Sequence, residues 1–143
     1  MTDPYVPMER LKQEVTSVTL VNNVTKTIDT VVPQGERWFL LNVKATNPDD
    51  VVRDLTIALY KEAAKTNKLR LLLLQAALAA NAAKEAEWPS KLVSTNDSSC
   101  LGSYAPIVLD AGNTISVIWT TGGASTGATD ADGLVVEYLK VEI

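Results

Sequence analysis

Proton transfer, nucleophilic attack and metal binding each demand particular side chains, and this 143-residue chain holds no histidine. That removes the Ser-His-Asp and Cys-His arrangements, imidazole zinc ligands and the commonest general base together. Cys100, in the stretch NDSSCLG, has no cation beside it in sequence to favour a thiolate, and reads as a small buried or loop thiol. Asp49 and Asp50 are adjacent carboxylates after Pro48, a setting that suits turn formation and solubility better than acid-base work. No GxGxxG, phosphate-loop or CxxC spacing occurs, so nucleotide and iron or zinc sites lack support. The stretch TDADGLVVE groups Asp130, Asp132, Gly133 and Glu137. Aligned on its glycine to a calcium loop, it places Ala128 and Leu139 where carboxylates are required. An irregular calcium or magnesium site on that loop is the alternative to a plain turn before a strand. The triplets at Asn23 and Asn96 match a glycosylation acceptor, but no secretion signal accompanies them. Lys61, Lys65, Lys68 and Arg70 form a basic run that Glu62 interrupts, which reads as a solvated face. The expectation is a chain without catalytic residues, cofactor or metal.

With so little reactive chemistry, the elements that carry these residues become the informative part. The stretch VVPQGERWFLLNV, residues 31 to 43, is echoed by VLDAGNTISVIW, residues 108 to 119. Gly35 and Gly112 occupy the same place in each, where VPQG and LDAG predict a type I turn whose last residue needs the positive φ cheap only in glycine, followed by a bulge at that glycine. Alternating runs follow: Trp38, Leu40 and Asn42 against Phe39, Leu41 and Val43, then Ile115, Val117 and Trp119 against Ser116 and Ile118. Both turns therefore open strands. VTSVTLV and VTKTIDTVV flank Asn22 and Asn23 and predict a hairpin. RDLTIALYK alternates with Leu55, Ile57 and Leu59 on one face, LVVEYLKVEI is a terminal strand, and the Gly-, Ser- and Thr-rich residues 120–133 predict a long exposed loop. LRLLLLQAALAANAA, residues 69 to 83, is rich in Leu and Ala, is stopped by Pro89, and predicts a helix without a clean polar face. A strand over RLLLLQAAL with a turn at AAN is the alternative. The fold class is all-β, an antiparallel β-sandwich or jelly roll, with a possible single helical insertion around residues 67–87.

Composition bounds the rest. At 46% hydrophobic content the chain fits one domain able to bury its own core, read as residues 15–143 behind an extended N-terminal arm over residues 1–14. Pro4 and Pro7 hold that arm extended, and Tyr5, Val6, Met8 and Leu11 make it too apolar for a solvated tail. Thirteen basic against 17 acidic residues, a net charge of −4, argue against nucleic acid as a partner. Residues 69 to 83 are too short and too polar to span a membrane, with Arg70, Gln75 and Asn81 inside them. The N-terminus lacks the basic start and apolar run of a signal peptide, so synthesis in a cytoplasm is expected.

The succession VPQGERWFLLNVKATNP, LTIALY, LRLLLLQAALAAN, WPSKLV, PIVLDAGNTISVIW and GLVVEYLKVEI, roughly Val31 to Ile143, resembles small virion structural proteins of tailed bacteriophages, those that decorate heads or sit at tails and adaptors. The resemblance implies assembly rather than chemistry, and residence in a virion made in a host cytoplasm. The apolar excess of residues 69–83 and of the terminal strand points towards a homo-oligomer with a trimer favoured, and the resemblance implies other virion proteins as partners. Tyr5, Met8, Leu71, Leu74 and Leu78 are the residues expected at the partner interface. The alternative is a ligand-binding, carbohydrate-type sandwich using Trp38, Trp88 or Trp119 as a stacking platform; strand alternation puts Trp38 and Trp119 in the core and leaves Trp88 as the exposed candidate.

Overall fold

A computed structural model describes residues 8–15, 18–20, 24–86, 107–120, 129–130 and 133–143, with backbone alone for 8–15 and 129–130. Its strands are β1 (Met8–Val15), β2 (Val18–Thr19), β3 (Lys26–Val31), β4 (Glu36–Thr46), β5 (Arg53–Tyr60), β6 (Lys68–Leu78), β7 (Ala83–Glu85), β8 (Val108–Asp110), β9 (Thr114–Trp119), β10 (Thr129–Asp130) and β11 (Leu134–Glu142). One sheet runs β1-β11-β4-β7 with β8 also on β4, a second runs β3-β9-β5-β6, and β2 pairs with β10. With β2, β8 and β10 set aside, the remaining strands fall in chain order as 1-8-3-6 and 2-7-4-5. That is the order of two interlocked Greek keys, a jelly roll.

The core lies between the sheets. Trp38, Leu40, Val43, Ala45, Leu134, Val136 and Tyr138 meet Leu55, Ile57, Leu59, Ile115, Val117 and Trp119. The Trp38 and Tyr138 rings stack at 3.7 Å. Each fully buried branched or aromatic side chain contributes about 1.5–3 kcal/mol relative to exposure. The alternation read along β4 breaks at Leu41: Glu137 pairs with Asn42 and Tyr138 with Leu40, so the bulge turns Val43, not Asn42, inward.

The two echoed turns stand side by side. Gly35 and Gly112 have φ of 82° and 89°. The Glu36 amide donates to Pro33 O and that of Asn113 to Asp110 O, which makes each glycine third of four, the type II position, and corrects the type I turn expected with glycine last. The Gly112 amide donates to Val32 O and the Val32 amide to Asn113 O, so the repeated sequence is one hydrogen-bonded junction between β3–β4 and β8–β9.

Three further sequence expectations are corrected. Residues 68–85 contain no helix; they form β6, a turn and β7. Helix propensity there loses to a ladder on β5 that places Leu72, Leu73 and Leu78 in the core. Bulges let both Leu72 and Leu73 face inward, which is why neither a period of two nor one of 3.6 showed. Asn22 and Asn23 lie outside the described residues, but the strands expected to form a hairpin around them pair elsewhere, β2 with β10 and β3 with β9; successive strands of a jelly roll cross between sheets. Of the loop expected over residues 120–133, Thr129–Asp130 is a strand, while residues 121–128, 131 and 132 lie outside the described residues.

Candidate functional site

The residues expected at an interface occupy different environments. Tyr5 lies outside the described residues. Met8 opens β1, with its Cα opposite Val141. Leu78 is in the main core, and Leu71 is buried with Ala58 under Tyr60 on the outer face of the second sheet. Leu74 is 57% exposed, opposite Thr56 on β5. Of the three leucines, only Leu74 presents apolar surface to a partner.

The first sheet carries an apolar row on its outer face. Phe39 lies between Val108 of β8 and Leu139 of β11, and one step along Val141 lies between Arg37 and Met8. Leu41, on the bulge, is 38% exposed and Val108 43%. Arg37 Nε donates to Asp110 Oδ1 at 2.7 Å and rims this patch with a solvated ion pair. The apolar second side of the terminal strand and the Phe39, Leu41 face were readable in sequence. Val108 was not, because it joins them through the β4–β8 pairing.

A buried polar clasp closes one end of the sandwich. Arg53 and Asp49 are both fully buried and meet Nε to Oδ2 at 2.7 Å. Arg53 Nη1 also donates to Val24 O and Thr120 O, at 3.0 and 3.3 Å. Asn47 Oδ1 accepts from the Asp49 amide, while its Nδ2 donates to Val51 O, Leu78 O and Ala79 O. Trp119 Nε1 donates to Thr46 O at 2.9 Å. The end of β4, the start of β5, the β6–β7 turn and the end of β9 are thereby tied together. Asp49 is thus no solubility residue; its i,i+4 spacing to Arg53 was the signal available in sequence. Asp50 is exposed and donates its amide to Asp49 Oδ1.

The opposite end is held differently. Lys65 Nζ lies 3.1 Å from Asp29 Oδ2, with the two side chains 28% and 32% exposed. Within the β5–β6 connection Glu62 accepts from the amides of Thr66 and Asn67, from Thr66 Oγ1 and from Asn67 Nδ2. These bonds, that of Thr66 first and those of Asn67 next, lower the Glu62 pKa from its ordinary 4.5 to about 2.

Among the described residues, the other side chains with chemical potential are scattered over separate elements. Trp38 and Trp119 are buried, while Trp88, Cys100 and Asp132 lie outside the described residues. Asp130 is in β10 and Glu137 in β11. Among the described residues no three His, Cys, Asp or Glu side chains are grouped to hold a metal ion.

The chain matches no protein-family model, and no curated protein matches it. Among solved structures it aligns with a chain of infectious bursal disease virus, Gx strain, at TM-score 0.44 and 12% identity, over 100% of this chain and 37% of that one. A chain of the T13 IBDV viral particle aligns at TM-score 0.44 and 8% identity, over 95% and 31%. This chain therefore spans well under half the length of those it aligns with, and a likeness at that TM-score carries no argument about function.

Proposed function

We propose that the chain is a non-enzymatic virion structural protein that acts by binding copies of itself, with a trimer favoured, and other virion proteins in a lattice. One observation carries this reading: a jelly roll whose outer sheet face, where alternation calls for solvated residues, presents Phe39, Leu41, Val108, Leu139 and Val141 instead. The chain's net charge of −4 and lack of histidine agree with assembly rather than polyanion binding or acid-base chemistry. The narrower form, a head-decoration, adaptor or tail-associated protein of a tailed bacteriophage located in the virion, rests on the sequence resemblance. Burial of Trp38 and Trp119 disfavours a sugar-stacking platform. Size-exclusion chromatography with light scattering tests the proposal. The expected mass is three times 15.4 kDa, falling to one copy in Leu139→Glu. A monodisperse wild-type monomer at micromolar concentration overturns it.

A further inference from the structure

The outer face of the second sheet is written for water and yet is dry in its middle. Its central row runs Asp29 on β3, Ser116 on β9, Ala58 on β5 and Leu71 on β6, each opposite the next. Thr114 is one step along β9 on the same face. Thr114 and Ser116 are both fully buried, although the sandwich core lies on the other side of β9, with Ile115, Val117 and Trp119. Thr114 Oγ1 donates to Gly112 O, whereas Ser116 Oγ meets no hydrogen-bond partner among the described residues.

Tyr60 stands opposite Thr114 and packs against Ala58 and Leu71 on this face, and the β5–β6 connection follows it. β9 lies between β5 and β3, so a connection that leaves β5 and whose Lys65 meets Asp29 on β3 reaches across β9. Residues 61–67 are tied within themselves through Glu62, through Lys65 N to Glu62 O and through Lys61 N to Asn67 O. They are held to the sheet by Lys65–Asp29, about a third exposed, and by Asn113 Nδ2 donating to Lys61 O at 3.0 Å. Lys65 itself sits at φ 58°, a left-handed conformation unfavourable for a residue with a side chain. The unit is tied within itself, fastened outside by one partly solvated ion pair and one hydrogen bond, and strained at the residue that fastens it.

We infer that residues 61–67 are a hinged cover that opens as one body without unfolding the sandwich, baring Thr114, Ser116 and Asp29 as a polar strip. The test is thiol labelling in a Cys100→Ser background, with Ser116→Cys as the probe beneath the cover and Val117→Cys as the inward control on the same strand. Iodoacetamide should modify the residue-116 thiol at least 10-fold faster than the residue-117 thiol, whose rate should equal that of global unfolding measured by denaturant jump. Lys65→Met should raise the residue-116 rate a further 10-fold or more and leave the residue-117 rate unchanged. Where Ser116→Cys fails to fold, Thr114→Cys takes its place. Equal rates at the two positions, or a residue-116 rate indifferent to Lys65→Met, overturn the inference.

Discussion

Each end of this sandwich is closed by one cation and one carboxylate, Arg53 with Asp49 at 2.7 Å and Lys65 with Asp29 at 3.1 Å. Distance hardly separates them, and surroundings do. The first pair is wholly buried, its guanidinium also bonded to Val24 O and Thr120 O, in a medium where a lost partner cannot be replaced by water. The second is about a third exposed, where water and salt compete with it. One end is a lock and the other a latch. The pairs also differ in what they join: the lock fastens strand ends of both sheets, while the latch fastens a loop to the outside of one.

The largest expected effect breaks the lock. Asp49→Asn leaves the Arg53 cation buried without its counter-charge and should cost about 3–5 kcal/mol in urea unfolding, as should Arg53→Met, which strands Asp49. The double substitution Asp49→Leu with Arg53→Met should recover part of that loss, because neither buried charge remains, and a double-mutant cycle reads the coupling. A loss below about 1 kcal/mol in both single variants would mean that the lock is ornamental.

An intermediate effect shows where the latched end gets its rigidity. Gly112 has φ 89° and open space where a Cβ would stand, so Gly112→Ala introduces backbone strain without a clash. The expected cost is about 1–2 kcal/mol, with Gly112→Asn milder because asparagine tolerates the left-handed region better. Gly35→Ala, at φ 82°, should behave alike. If both glycines can be replaced at no cost, the paired turns do not hold that end together. Lys65→Met stands below these: global stability should change by less than about 1 kcal/mol, since the pair is partly solvated and its loss also frees the loop.

The same contrast separates what could be read in sequence from what could not. The faces of β5 and β9 were legible because Leu55, Ile57, Leu59, Ile115, Val117 and Trp119 obey a period of two and all reach the core. The positive φ of Gly35 and Gly112 was legible because a turn is a local event. Burial of Asp49 was not: a carboxylate beside Pro48 and Asp50 looks solvated until Arg53, Asn47 and the ends of four elements close around it. Residues 68–78 were ambiguous since bulges erase the period, and the supposed hairpin at Asn22 and Asn23 failed because pairing in a jelly roll is decided by strands far apart in sequence. The apolar outer face was half legible, with Phe39 and Leu139 visible as alternation but joined to Val108 only by the fold.

The smallest expected effect concerns the latch under acid, and its sign follows from Glu62. The folded loop holds this carboxylate at a pKa of about 2, below its ordinary 4.5, because four donors from Thr66 and Asn67 bind the charged form. A depressed folded pKa means that the unfolded loop binds the proton first as pH drops. The contribution of Glu62 is therefore complete above pH 4.5 and is lost as pH falls from there through about 2. Since Glu62 organises the cover from within, its protonation should loosen the amides of Thr66 and Asn67 before the sandwich unfolds. Amide exchange at those two residues, followed from pH 6 to pH 2 and corrected for intrinsic rates, should lose protection across that window, while amides of β5 and β9 keep theirs. Glu62→Gln should show weakened protection at pH 6 and little further change with acid, because its amide cannot supply a charged acceptor. A Glu62→Gln profile that still falls with acid as the wild type does would place the titrating group elsewhere and detach the loop's order from this carboxylate.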